Sequence, residues 1–431
     1  MEEGRSKNKI KCVPLRPFMR HNSILIGLLA LLFSLLPIQA QEQKGEIPAD
    51  STTIEEAIDS TITISLLTCS PGQETYELYG HTAIRVSNQQ DSLGVVYNYG
   101  TFDFTAPHFT WRFTLGECDY ILAREPLYYF LNFYYNRGSS VTEQVLDLTP
   151  YEAARLSAEL ELESKPENRV YRYNIFRNNC TTRARDKIES CIRGQVLYPV
   201  RAPRNTFRTI LHQFTAKHLW AQEGNDLLLG SEVDTLISER DEMFAPTYLM
   251  WYMDSAVIDA GHNRYRNLVL TRRILLPEDE QRQLRAAEKI PSLPLSPRAL
   301  GWGMLVLGLC IMAFELKQKR IIWSVDVFLM FLQGLAGLLL CFMALFSTHP
   351  GVATNWQVWV LNPIPLLFIY SVVQSDRHHK RCIYHALAAP FLLAFIAFYF
   401  IIPQDFSELI LPVAFLLLSR AVVHLLVYRT T

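Results

Sequence analysis

An excess of charge of either sign is the first thing this sequence lacks. Its 41 Lys and Arg stand against 42 Asp and Glu, a formal net charge of -1 over 431 residues. That excludes the whole-chain basic footprint a nucleic-acid partner would require. Metal and nucleotide motifs are missing too: there is no HExxH, no paired CxxC and no phosphate loop. Neither a metal nor another cofactor is expected on motif grounds. Aromatic residues reach 12%, which excludes low-complexity disorder. The exported part contains no internal repeat.

What the chain has in quantity is apolar residues, 49% of the total, and they are unevenly spread. Arg5, Lys7, Lys9, Lys11, Arg16 and Arg20 precede the apolar run Ile24–Pro37 and the segment Ile38-Gln-Ala-Gln41. Residues 1–40 therefore read as a secretory signal cleaved near Ala40, with an uncleaved anchor as the alternative. The apolar run is short against the about twenty residues a span needs, which favours cleavage. Residues 41–60 read as a polar linker, 61–290 as an exported domain, and 291–298 as a Pro-rich linker. From 299 to 431 the sequence predicts an all-α membrane domain with five spans, near 299–315, 323–346, 358–374, 383–403 and 407–428.

The loops provide an independent check. Lys317, Lys319 and Arg320 lie between the first two spans, and Arg377, Lys380 and Arg381 between the third and fourth. The loops around 347–357 and 404–408 have no Lys or Arg. This is the positive-inside pattern, and it puts the basic loops in the cytoplasm and the exported domain across the membrane. Trp302, Trp323, Trp356 and Trp359 fall where interfacial anchors belong.

The exported part predicts a mixed α+β fold. Thr61–Leu67 alternates like a strand. Tyr79–Val86 and Gly94–Gly100 flank a turn at Asn88–Asp91 and read as a hairpin. Ser140–Asp147 and residues 265–276 read as further strands. Pro150–Ser164 has helical spacing with Thr149 as its cap, residues 205–260 read as mostly helical, and Met243–Ile258 reads as amphipathic. Asn178 and Asn179 precede a helical period that runs to about Ile192, so Cys180 falls on a first helical turn.

That position has chemical consequences. The unpaired N–H groups and positive end of a helix lower a thiol's pKa, and the same groups can hold an oxyanion. An imidazole partner would complete a nucleophile, and His81 at a strand start, after Gly80, is the candidate. Cys69, Cys118, Cys180 and Cys191 would face an oxidising compartment, where disulfides are an open alternative. Arg183 and Asp186 sit at i and i+3 and read as a local ion pair or support for the site. Arg85 reads as a surface strand residue with phosphate contact as the alternative. His378 and His379 lie on the cytoplasmic side, away from this constellation.

The segment Tyr79-Gly-His-Thr-Ala-Ile-Arg-Val86, followed by Asn178-Asn-Cys-Thr-Thr182, resembles the circularly permuted papain-like domains of the NlpC-like and lecithin:retinol-acyltransferase-like groups. More closely, Tyr79–Val86, Val96–Phe104, Tyr173–Ile188 and Ser347-Thr-His-Pro350, with Asn355 and Asn362-Pro363, resemble the Lnb-type lipoprotein N-acyltransferases. The resemblance implies a periplasmic papain-like thiol domain joined to an inner-membrane domain. It implies Cys180 as nucleophile and His81 as its partner, and leaves the third residue open; Asn98, on the returning strand, is our choice. Asn179, Asn178 and Arg183 are candidates for oxyanion or supporting roles, and His349 and Asn355 for contributions from the membrane loop. The implied reaction moves an acyl chain from a membrane lipid, through a Cys thioester, to the N-terminal amine of a diacylated lipoprotein. A membrane-tethered cysteine hydrolase acting on lipid esters or cell-wall peptides is the alternative. A non-enzymatic protein with Cys180 in a structural disulfide is a third reading.

Overall fold

The computed structural model describes residues 61–102, 107–290 and 293–428. The signal-peptide reading of 1–40 and the linker reading of 41–60 lie outside the described residues.

Ten strands are described: β1 Thr63–Cys69, β2 His81–Ser87, β3 Val95–Thr101, β4 Asp119–Pro126, β5 Val141–Leu146, β6 Val170–Arg172, β7 Gln195–Leu197, β8 Val257–Asp259, β9 Tyr265–Asn267 and β10 Val269–Leu276. Seven form one sheet in the order β10-β5-β1-β2-β3-β4-β6, antiparallel at every pairing. β7, β8 and β9 form a small second sheet. β1 lies inside the sheet between β5 and β2, and its near-continuous apolar run, buried from Ile64 to Cys69, suits a strand covered on both sides.

The two-residue period of the strands sorts the core into two layers. Ile64, Leu66, Ile84, Tyr97 and Tyr99 face helices Pro150–Glu163 and Cys180–Cys191. Leu67, Cys69, Ala83 and Val96 face the other way, under Phe130 and Tyr134 of helix Leu127–Arg137. The expected β2–β3 hairpin forms, with Ile84 opposite Tyr97. Thr149 caps its helix in a reciprocal box with Glu152.

Two local expectations are corrected. The helix expected over 243–258 stops at Asp254, and Val257–Asp259 pairs with β7 and β9 instead. Arg85 is not at the surface: it is buried against Glu143 at 2.5 Å, and Arg273 approaches the same carboxylate. A strand side chain faces a covered layer here because the sheet carries helices on both faces.

Arg208 is 1% exposed and bridges Asp226 at 2.8 Å and Asp234 at 2.6 Å. Removing one partner from a buried ion network leaves charge unpaired. Arg208→Met is therefore expected to cost about 3–5 kcal/mol, read as a lowered melting temperature of the detergent-solubilised full chain.

The C-terminal half is helical: Pro297–Gln318, Trp323–Phe346, Ile364–Arg377, Ile383–Phe398 and Ile410–Val427, called here the first to fifth apolar helices. Among the described residues, four helical segments are long and apolar enough to cross a membrane, the third counted from Trp356. The fourth helix has 16 residues and falls short of that length. The span expected over 383–403 ends at Phe398 because Pro403 and the turns before it cannot continue a helix.

The loops at one end of these helices are bonded to the exported domain. Thr348 N–H donates to the Leu115 carbonyl at 2.9 Å, and Gly230 N–H to the Gly351 carbonyl at 2.6 Å. Glu223 accepts from Ser407 and from Glu408 N–H.

Candidate active site

β2 begins at His81 because Gly80 makes the turn before it, with φ +75; a Cβ there would lie 2.7 Å from the Cys69 carbonyl oxygen. The helix from Cys180 begins because Asn179 caps it. Its Oδ1 accepts from the N–H groups of Thr181 and Thr182 at 2.9 and 2.8 Å, and its Nδ2 donates to the carbonyls of Ile175 and Phe244. The Cys180 amide is not among the donors the cap takes.

These two starts meet at Gly100, on β3. Its φ is +107, at a bulge between Tyr99 and Thr101. A Cβ added at Gly100 would lie 3.2 Å from His81 Cε1 and 3.6 Å from Cys180 Cβ. The missing side chain is what lets ring and thiol face each other.

The ring is held from its far side. His81 Nε2 lies 2.6 Å from Asn98 Oδ1. Asn98 Nδ2 donates to Glu125 Oε1 at 3.1 Å, so the amide is oriented with its oxygen to the ring. Oδ1 can only accept, which places a proton on Nε2 and leaves Nδ1 for the sulfur. Tyr134 stacks on the ring at 6.4 Å and 17°.

Electrostatics follow from this packing. Burial pushes the Cys180 thiol up, but the His81 charge, with hydrogen bonds from His81, Thr181 and the Thr82 amide, brings it below the ordinary thiol value. Burial pushes His81 down, but the Cys180 charge and hydrogen bonds to Cys180 and Asn98 carry it above the ordinary imidazole value. The pair favours thiolate beside imidazolium. Burial raises the thiols of Cys69, Cys118 and Cys191 instead. All seven cysteines among the described residues are free thiols.

The structure thus brings Cys180, His81 and Asn98 together. Asn179 is a cap. Asn178 donates to the Arg172 carbonyl and accepts from Arg183. The expected Arg183–Asp186 pair does not form: Arg183 reaches Glu163 across to helix Pro150–Glu163, over the Tyr171 ring at 4.3 Å. Asp186 pairs with Arg185 and Arg240. His349 donates from Nε2 to the Phe113 carbonyl at 2.6 Å. Asn355 donates to the carbonyls of Leu227 and Leu228 and so ties the membrane loop to the exported domain.

Glu125 and Gly100 were missed by sequence reasoning. Glu125 is 27 residues from the Asn98 it orients, on a strand no pattern announced. Gly100 does end the Val95–Gly100 run, a signal for a bulge that could have been used.

A stack of aromatic rings lies beside this site, and the short helix at its end also touches the membrane helices. Tyr173 stacks on Tyr120 at 4.2 Å, Tyr120 on Phe102 at 4.8 Å, and Phe102 on Phe109 at 6.3 Å. Phe109 belongs to the short helix Phe109–Thr114, whose Trp111 packs on Phe342 of the second apolar helix at 5.4 Å.

Fold and site together define a mixed α/β domain carrying a paired thiol and imidazole, docked on an apolar helical domain. Residues 51–213 match the family model described as Lnb N-terminal periplasmic domain, and residues 288–431 match the one described as Lnb transmembrane domain. The chain belongs to the Lnb family. It is a multi-pass membrane protein with a periplasmic domain, and its family is that of a membrane enzyme. Neither the curated proteins nor the solved structures yield a match to it.

Proposed function

We propose that this protein is a lipoprotein N-acyltransferase of the inner membrane, with Cys180 as its nucleophile. The observation that carries the reading is the thiol–imidazole pair in a periplasmic domain whose short helix Phe109–Thr114 packs on a membrane helix. The five-span count and the kinship to permuted papain-like folds belong to the same reading.

In the first half-reaction the Cys180 thiolate attacks an ester carbonyl of a membrane lipid. The oxyanion is met by the Cys180 N–H at the positive helix end. The tetrahedral intermediate collapses as the His81 imidazolium gives its proton to the departing alkoxide, leaving a lysolipid and a thioester. In the second half-reaction the N-terminal amine of a diacylated lipoprotein attacks the thioester. His81, now neutral, takes the amine's proton; the thiolate leaves and an amide remains. Asn98, oriented by Glu125, keeps the ring's Nδ1 on the sulfur through both halves.

Both substrates are anchored in the bilayer. Moving an acyl chain into water costs roughly 0.8 kcal/mol per methylene, so a site held at the bilayer's outer surface avoids that cost.

Intact mass spectrometry of the full chain, after incubation with phospholipid vesicles and without acceptor, tests the reading. The expected result is a hydroxylamine-labile fatty-acyl adduct on Cys180. A peptidyl adduct, or none, would overturn it in favour of the hydrolase or the non-enzymatic alternative. Asn98→Ala is expected to slow transfer by about tenfold to a hundredfold, through a misplaced ring. An unchanged rate would remove Asn98 from the site.

A further inference from the structure

The residue after the nucleophile carries a hydroxyl that the two half-reactions leave unused. Thr181 Oγ1 lies 3.6 Å from Cys180 Sγ and 3.2 Å from Thr82 Oγ1 on β2. Thr82 and Thr181 are fully buried, and neither hydroxyl has another hydrogen-bond partner among the described residues. The backbone of Thr181 is occupied by the cap, its N–H donating to Asn179 Oδ1. Thr82 shares strand parity with Ile84, which faces the Cys180 helix, whereas His81 shares it with Ala83 in the other layer. Hydroxyl and imidazole therefore reach the sulfur from different faces of one strand.

Hydrogen accounting gives the pair a direction. Each hydroxyl has one hydrogen to donate. Two hydroxyls bonded to each other use one of the two, and the other needs an acceptor. Beyond Thr82 there is none: Thr68, its opposite number on β1, has a buried hydroxyl that is itself without a partner. The sulfur is the acceptor in contact with the pair. A thiolate accepts strongly, whereas a thiol or thioester sulfur accepts weakly. A buried hydroxyl without an acceptor is costly, so the pair favours the sulfur in its anionic state.

We propose that the Thr181 hydroxyl is a catalytic residue, donating to the Cys180 sulfur whenever that sulfur is a thiolate, and that the Thr82 hydroxyl is a positioning residue that donates to Thr181 and so aims its hydrogen at the sulfur. Thr181 keeps its proton throughout; the thiol's own proton goes to His81. The consequence for acyl transfer rests on the reading above. Acylation withdraws the pair's acceptor, and expulsion of the thiolate by the amine restores it. The hydrogen bond therefore strengthens as charge returns to sulfur, which speeds the second half-reaction rather than the first.

Two measurements on the detergent-solubilised full chain test this. The first is iodoacetamide alkylation of Cys180 against pH, followed on its own peptide. Thr181→Val keeps the shape and removes the hydroxyl, and should move the midpoint up by about one pH unit. Thr82→Val should move it the same way by less. Thr181→Ser should restore the wild-type midpoint. The other titratable groups that sense the sulfur's charge stay in place in all three variants: His81, Tyr120, Tyr171, Tyr173, Cys69 and Tyr134. An unmoved midpoint in Thr181→Val, or a Thr181→Ser midpoint that moves as far as that of Thr181→Val, would overturn the proposal. The second measurement is single turnover with phospholipid vesicles and then a synthetic diacylated lipopeptide. In Thr181→Val the acyl adduct should form at a near-normal rate and decay about tenfold more slowly. Equal slowing of both steps would overturn the role in the second half. Alkylation needs no acyl donor, so it decides the hydroxyl's role even if Cys180 never carries an acyl group. An adduct that forms while the midpoints stay put would leave the acyltransfer reading standing and remove Thr181 from it.

Discussion

Replacing Cys180 with Ala is expected to eliminate lipoprotein N-acylation, by at least about 10³-fold in rate, while the protein still accumulates in the membrane. The sulfur forms the only bond the proposed chemistry makes to the enzyme, so nothing else can substitute for it. The fold does not depend on it. The helix start is held by Asn179 through Thr181 and Thr182, not by the thiol. Ala is also the better helix former. Mass spectrometry of lipoprotein N-termini from cells carrying only the variant would check this, with immunoblotting for its level. N-acylated termini at normal abundance would end the thiol reading.

Replacing His81 with Gln is expected to be nearly as damaging, by about 10²- to 10⁴-fold. Gln can still donate toward Asn98, so packing is largely kept. It can neither carry the charge that stabilises the thiolate nor move a proton. The sign of the pH effect follows. In the wild-type protein burial raises Cys180, and the imidazolium more than offsets it. The thiolate therefore persists to lower pH than an ordinary thiol allows, and the imidazolium, with His81 raised, persists to higher pH. Activity should fall on the acid side as Cys180 gains its proton and on the alkaline side as His81 loses its own. In His81→Gln burial, the largest influence, is opposed only by the Thr181 and Thr82 hydrogen bonds, so the midpoint for Cys180 alkylation should move upward. A midpoint that stays put would mean that the ring does not act on the sulfur.

Much of this site was legible in local sequence because its parts are local signals. Asn before Cys180 announces a cap, and a cap dictates where the thiol stands relative to the helix end. Gly80 before His81 announces a turn into a strand. The aromatic helix Leu127–Arg137 was not legible: Tyr, Phe and Leu occupy nearly all its positions, so no polar face marks a period. With that helix unread, Tyr134 on the His81 ring stayed hidden, and with β4 unread so did Glu125. Arg183 and Asp186 show the opposite failure. Their spacing satisfies the helical ion-pair rule, but Glu163 and Arg240 approach from other elements and outcompete the local partner.

Hydrophobic runs and loop charges, read as sequence, determined that this chain is a membrane protein with an exported domain. Capping and turn residues determined which side chains stand at element ends. Those are properties of neighbours along the chain, governed by backbone hydrogen bonding and by transfer from water. Pairings across long separations were decided only in three dimensions: Cys180 with His81 over Gly100, Asn98 with Glu125, and Thr82 with Thr181. Each depends on how strands register and helices pack, and no spacing along the chain encodes that, because the partners come from different elements that the core brings together.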